Sequence, residues 1–195
     1  CLDRVYGLSE APETGGLHFL QVQNVDGLFS NDMMFFSEQA PVPVRDGNII
    51  TSGGSFNAGN FDRGWNAVET AIDRISESGG QLHVETRQSD QPWHAQISHS
   101  ILLIGGHEYT ICYRARADGN RNIATYTDTN LDSYINTSGG QFEVNLTTSF
   151  QNFQHTFTVA QTDLRGRVAF DLSQSDQNVH FDHVGVFEGT SCGTP

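Results

Sequence analysis

Leu103-Ile104-Gly105-Gly106-His107-Glu108-Tyr109-Thr110-Ile111-Cys112-Tyr113-Arg114-Ala115-Arg116-Ala117 decides the fold class of this chain. After the paired glycines, Tyr109, Ile111, Tyr113 and Ala115 recur at every second position, with Thr110, Cys112, Arg114 and Arg116 between them. That period is the period of a strand with one buried face, and Gly-Gly before it marks a turn. The pattern returns along the chain: Leu82 and Val84 alternate with His83 and Glu85, Phe153, Phe157 and Val159 share a face, and so do Val168, Phe170 and Leu172. Ser78-Gly79-Gly80, Asp118-Gly119-Asn120 and Ser138-Gly139-Gly140 separate these runs. Asn66–Ser76 is the best helix candidate, yet it alternates through Val68, Thr70 and Ile72 and is assigned as strand. Many short strands between turn signals predict an all-β chain, an antiparallel two-sheet β-sandwich over residues 47–190.

Outside the sandwich lie residues 1–46 and a short C-terminal tail, 191–195. The first segment carries Pro12, Pro41 and Pro43, and ends in Pro41-Val42-Pro43-Val44, a stiff extended connector. Its extended candidates are Leu17–Gln23 and Asp32–Ser37. It reads as an N-terminal arm or the tail of a preceding domain, too poor in apolar surface to form a core alone. Met33-Met34-Phe35-Phe36 is costly to leave in water, so something is expected to cover it. Residues 17–37 are therefore expected to pair with a β-sheet, within the chain or by self-association with a neighbouring copy.

The chain has 195 residues and a net charge of -13, and its ten basic residues are all Arg. Without Lys there is no P-loop lysine, no Schiff base and no lysine general base. So acidic a chain is repelled by nucleic acid and by anionic membranes. Its apolar runs, such as Ile101–Ile104, are too short to span a bilayer. Neutral ligands and divalent cations remain as partners. The chain begins at Cys1 rather than Met, as expected of a processed form or a fragment.

Three cysteines are present, and no Cys-x-x-Cys pair. Cys1 and Cys192 lie at the two ends, which are often close in space, and a bridge between them suits an oxidising, secreted setting. The alternatives are two unpaired thiols, or a lipid-modified Cys1 of a cell-surface lipoprotein. Cys112 sits in the decisive strand and reads as a half-buried structural thiol.

Three segments together carry a family resemblance: Gly54-Ser55-Phe56-Asn57 with Phe61 and Gly64-Trp65, Leu103–Ile111, and Val179-His180-Phe181-Asp182-His183-Val184-Gly185-Val186. In order and spacing they resemble the jelly-roll carbohydrate-binding modules of families four, nine, sixteen and twenty-two, over residues 47–190. The resemblance implies a non-catalytic, secreted β-sandwich that holds a glycan across its concave sheet, as part of a polysaccharide-degrading system. It also implies a structural calcium ion at positions matching Asn57, Glu77, a carbonyl near Gly80, and Asp182. Ca²⁺ takes six to eight oxygen ligands, and only two of these would be anionic. The alternative is that these are polar turn residues with no ion.

A sugar-binding face needs aromatic platforms and planar hydrogen-bonding groups. Arg114 and Arg116, then Tyr126 and Asp128 on the next strand, supply such groups on outward faces. Trp93 and Gln96 follow Pro92 on a strand that resembles a ligand-contacting one. Strict alternation gives Trp93 the core face of Ile97, so it needs a bulge or a loop position to reach the groove. Tyr134 is expected at the groove rim. The alternative for each aromatic is packing, and for each Arg a solvated sheet surface.

His180 and Asp182, two apart, make a two-ligand zinc fragment whose third ligand no local spacing fixes. His155, between Phe153 and Phe157, reads as a partly buried, satisfied histidine. Nothing in the sequence points to catalysis. Asn136-Thr137-Ser138 and Asn145-Leu146-Thr147 are glycosylation sequons. Two functions compete: a secreted glycan-binding module, and an extracellular structural subunit, filament or surface layer, that assembles by strand addition of the arm.

Overall fold

The alternating side chains of the decisive segment do turn inward. Tyr109, Ile111, Tyr113, Ala115 and Ala117 are all buried on one face of one strand. The computed structural model describes residues 17–20, 33–36, 48–50, 54–56, 61, 64–130 and 134–193. The chain divides into two units, Cys1–Val44 and Arg45–Pro195. In the first, β1 (Leu17–Leu20) pairs antiparallel with β2 (Met33–Phe36), Leu17 opposite Phe36. The two arm segments thus pair with each other; the rest of the arm, including Cys1 and the proline connector, lies outside the described residues.

Among the described residues the second unit holds ten strands: β3 (Trp65–Val68), β4 (Ile72–Ser78), β5 (Gln81–Thr86), β6 (Gln96–Leu103), β7 (Glu108–Ala117), β8 (Arg121–Thr129), β9 (Phe142–Leu146), β10 (Gln151–Thr158), β11 (Asp163–Asp171) and β12 (Val179–Glu188). They form two antiparallel five-stranded sheets, ordered β10-β7-β12-β5-β4 and β3-β6-β11-β8-β9. The stretch expected as one strand, Asn66–Ser76, is two, because the chain leaves one sheet after Val68 and enters the other at Ile72.

Aromatic rings from both sheets meet between them. Tyr113 of β7 stands edge-on to Phe170 of β11, centroids 5.1 Å apart, and Phe170 meets Phe181 of β12 at 5.1 Å. Edge-to-face contacts of this kind add to the area term, and each fully buried large apolar side chain is worth roughly 1.5–3 kcal/mol. At the β6–β7 turn a Cβ on Gly105 would meet the backbone nitrogen of Thr162 at 2.7 Å, and Gly106 has φ +83°. Neither position accepts another residue without strain.

The register of β12 slips between Phe181 and His183, so Asp182 and His183 together occupy one step of the ladder opposite β7. Phe181 and Val184 are therefore both buried although they are three apart. The bulge breaks the strict alternation read from the sequence.

The disulfide differs from the expected one. Cys192 is bridged to Cys112, Cα–Cα 5.9 Å, not to Cys1. After β12 the chain passes from β7 toward β10: Gly189 N donates to Glu108 O, Thr110 Oγ1 donates to Gly189 O, and Gln154 Nε2 donates to Thr190 O. This path delivers Cys192 to the outward side chain of Cys112. End-to-end proximity was the wrong criterion, because the partner lies in mid-strand.

A buried cation fixes the start of β8. The Arg121 guanidinium donates to Thr86 Oγ1 at 2.8 Å and to the carbonyls of Leu172, Ser175 and Gln177. Burial pulls its pKa down to about 10, partly opposed by Asp176.

Candidate functional site

The outward face of the sheet containing β8 carries a groove of about 720 Å³. Its floor comes from three adjacent strands, β6, β11 and β8. Alternation sends Gln96, Tyr126, Asp128 and Arg167 to this face, while Ile97, Val168 and Phe170 point into the core. Trp93 stands at the groove in a 3₁₀ turn, Pro92–His94, just before β6. Because Trp93 precedes the strand, its side chain escapes the alternation that would have buried it, and it is 49% exposed.

Tyr134 lines the groove from the loop between β8 and β9, with φ +42° and 55% of its surface exposed. The loop is fastened along β8: Thr129 N donates to Ile135 O at 2.9 Å, Thr137 N to Thr127 O at 2.8 Å, and Ser138 Oγ accepts from Thr127 N. Asn136 closes its own turn, accepting from Gly140 N at 2.8 Å and donating to Gly140 O at 3.0 Å. The first sequon therefore sits in the wall of the groove.

The floor is a connected polar network. Arg167 grips Asp128 with two bonds, Nε to Oδ1 at 2.7 Å and Nη2 to Oδ2 at 3.1 Å. Its guanidinium also lies 4.8 Å from the centroid of the Tyr134 ring, an attraction of cation and ring face. Burial works to lower the pKa of Arg167, but the hydrogen bond and charge of Asp128 outweigh it and raise it. Gln96 Nε2 donates to Asp171 Oδ1 at 2.7 Å and to Tyr126 Oη at 3.1 Å, and Tyr126 Oη donates to Asp171 Oδ1 at 3.3 Å. Asp171 is fully buried. Burial raises its pKa against the opposing bonds from Gln96 and Tyr126. The Tyr126 phenol is pushed up by burial and by the carboxylates of Asp171 and Asp128.

Five of the seven residues expected at the groove come together there: Trp93, Gln96, Tyr126, Asp128 and Tyr134. Arg114 and Arg116 do not. They project from β7, in the other sheet, where both stack over Phe150 at 4.7 and 5.3 Å and pair with Asp182 and Asp118. Alternation separates inside from outside but does not say which sheet a strand joins. The Asp118–Asn120 turn carries the chain from one sheet to the other, so consecutive strands present opposite outer faces. Arg167 and Asp171 were missed, although they alternate with Val168, Phe170 and Leu172 on a strand whose buried face was read correctly.

Of the expected calcium ligands, Asn57 lies outside the described residues. Gly80 forms the β4–β5 turn, Glu77 stands opposite Leu82, and Phe181 on β12 also stands opposite Leu82. The register thus brings Asp182, the turn and Glu77 to one end of the sheet. Asp182 pairs with Arg114, and a Glu77 oxygen accepts from Phe61 N.

The family described as "Carbohydrate binding domain" matches residues 48–177. No curated protein matches the chain. A solved CBM4 structure is 23% identical, over 70% of this chain and 98% of its own, with a TM-score of 0.62. The N-terminal cellulose-binding domain of β-1,4-glucanase C from Cellulomonas fimi is 21% identical, over 71% of this chain and 95% of its own, at 0.57. The CBM22-1 xylan-binding domain of Xyn10C from Paenibacillus barcinonensis is 11% identical, over 75% and 97%, at 0.53. At these identities the likeness is one of fold.

Proposed function

The chain belongs to the carbohydrate-binding domain family that matches residues 48–177, and from that membership we propose that its groove holds a neutral β-linked polysaccharide such as a glucan or a xylan. One observation carries the choice of site: two half-exposed rings, Trp93 and Tyr134, stand at a groove whose floor is hydrogen-bonding side chains. Rings stack on the apolar C–H faces of sugars, and the planar polar groups take the hydroxyls. The choice of a neutral ligand rests on charge. The Arg167 guanidinium in the groove is engaged by Asp128, and Asp171 adds a second carboxylate. Two fold relatives are a cellulose-binding domain and a xylan-binding domain, which supports the same class.

Affinity electrophoresis in gels containing β-1,4-glucan, xylan or a polyuronate, each at low and high salt, tests this. Retention by a neutral polymer, insensitive to salt, is the expected result, because no ion pair forms. Retention only by the polyuronate, lost with salt, overturns it.

The setting is proposed as secreted, within a polysaccharide-degrading system; the Cys112–Cys192 bridge suits an oxidising compartment. Among the described residues no helix is long and apolar enough to cross a membrane. A structural calcium ion at Asp182, Glu77, Asn57 and a carbonyl near Gly80 is also proposed. The oxygen donors suit a hard cation, and the ion would share Asp182 with Arg114. A ligand that binds only the folded state raises its stability. Calcium added after chelation should therefore raise Tm, and an unchanged Tm rejects the ion. Self-association through residues 17–37 remains a proposal; sedimentation of the chain with and without residues 1–46 tests it, and identical monomers in both reject it.

A further inference from the structure

A cluster of metal-ligating side chains stands on the sheet that the groove does not use. His83 of β5 and His180 of β12 are direct cross-strand partners. Their rings stack, centroids 4.3 Å apart and planes 9° from parallel. Asp118, where β7 ends, brings Oδ1 to 2.8 Å from His180 Nε2. One ligand atom from each of the three residues lies within 4.8 Å of the others. A separate observation points to a missing partner: His83 Nε2 is buried and has no hydrogen-bond partner among the described residues. Leaving a buried ring nitrogen unpaired is costly.

The Asp118 carboxylate is held in place. Its Oδ2 accepts from Asn178 Nδ2 at 3.2 Å, and its backbone N donates to Asn178 O at 3.0 Å. Outer partners of this kind orient ligands in metal sites. The facing charges are Arg116, 3.3 Å from Asp118 Oδ1, and Glu85, 4.0 Å from His83 Nδ1 and itself 3.8 Å from Arg74.

We propose that His83, Asp118 and His180 bind a divalent transition-metal ion of the zinc class, with water as the fourth ligand. Two imidazoles and one carboxylate are borderline donors, suited to zinc and its neighbours rather than to calcium or magnesium. Tetrahedral ligands about 2.0–2.1 Å from the ion stand roughly 3.3 Å from one another. The ion takes the place of the proton shared between His180 and Asp118, and the His83 ring turns toward it. Three adjacent strands then share one ion, on the face opposite the groove.

The test uses the chelator-stripped full chain. Titration calorimetry with zinc chloride should show one equivalent bound in the micromolar range or tighter. His83→Gln and His180→Gln should each weaken it at least about tenfold, the low end of the loss that follows removal of even an outer partner of a metal ligand. Calcium chloride should give no heat that these substitutions remove, which separates this site from the one proposed at Asp182. Retention by glycan should be unchanged in both variants and serves as the check on folding. Cobalt(II) added to the parent chain should give the intense visible absorption of a four-coordinate ion, a readout that needs no variant. No zinc uptake, uptake undiminished in both variants, or a cobalt spectrum like that of the hydrated ion would each overturn the proposal.

Discussion

Arg167 and Asp128 form a two-bond ion pair at the floor of the groove, with side-chain exposures of 12% and 2%. Removing one partner of such a pair leaves a charge buried and uncompensated, which costs on the order of 3 kcal/mol, whereas removing both costs less. Asp128→Ala should therefore destabilise the fold more than Asp128→Ala combined with Arg167→Ala. Denaturant midpoints of the parent, Asp128→Ala, Arg167→Ala and the double variant measure this. Additive destabilisation, with the double variant losing the sum of the two single losses, would show that the two residues act independently.

The bridge between Cys112 and Cys192 closes a loop of 80 residues in sequence separation. A cross-link of that span typically contributes about 2–4 kcal/mol by restricting the unfolded chain. Cys192→Ser should lower Tm in non-reducing buffer, and Cys1→Ser should not. The reverse order would restore the end-to-end pairing that the sequence suggested.

Arg121 reaches the side chain of Thr86 and three carbonyls of the segment 172–177. Arg121→Ala strands those acceptors in a buried setting and should cost about 3 kcal/mol or more. Arg121→Lys should recover only part, because an ammonium lacks the planar fork. Thermal unfolding of both decides, and a fully restored Tm in the lysine variant would count against the fork geometry.

His155 stacks on Phe142 at 4.8 Å and meets Tyr113 Oη at 3.2 Å. Burial lowers its pKa from the ordinary 6.5, so the folded state favours the neutral ring. The unfolded chain then binds the proton more readily. Stability is complete above about pH 6.5 and falls as pH drops through the depressed folded value. His180 has the same direction, set by burial with Arg116 and His83 adding and Asp118 opposing. His155→Phe should flatten the loss of Tm between about pH 7 and pH 5 without abolishing it. Parallel curves would show that His155 stays neutral, or titrates alike, in both states.

Much of the sandwich was legible because burial writes itself into alternation: the inward faces of β5, β7, β10 and β11 were all readable from the sequence. Sheet membership was not. Period two is the same in either sheet, so Arg114 and Arg116 were placed beside Tyr126 when β7 and β8 lie in different sheets. Trp93 was legible as a candidate, but only the 3₁₀ turn explains how it reaches the groove. Cys192 found Cys112 through the returning tail, a long-range path that no local pattern encodes.

Glycan should be held on the β8 sheet and not on the β7 sheet. Titration calorimetry with a soluble β-1,4-linked oligosaccharide, on the parent, Trp93→Ala, Tyr134→Ala and Arg114→Ala with Arg116→Ala, tests it directly. Both rings are half-exposed, so their loss should leave Tm nearly unchanged while weakening binding by about 1–3 kcal/mol each, the range known for planar rings stacked on aromatics. The arginine variant should bind like the parent. Parental affinity in both ring variants would remove the site from this groove, and loss confined to the arginine variant would move it to the other face.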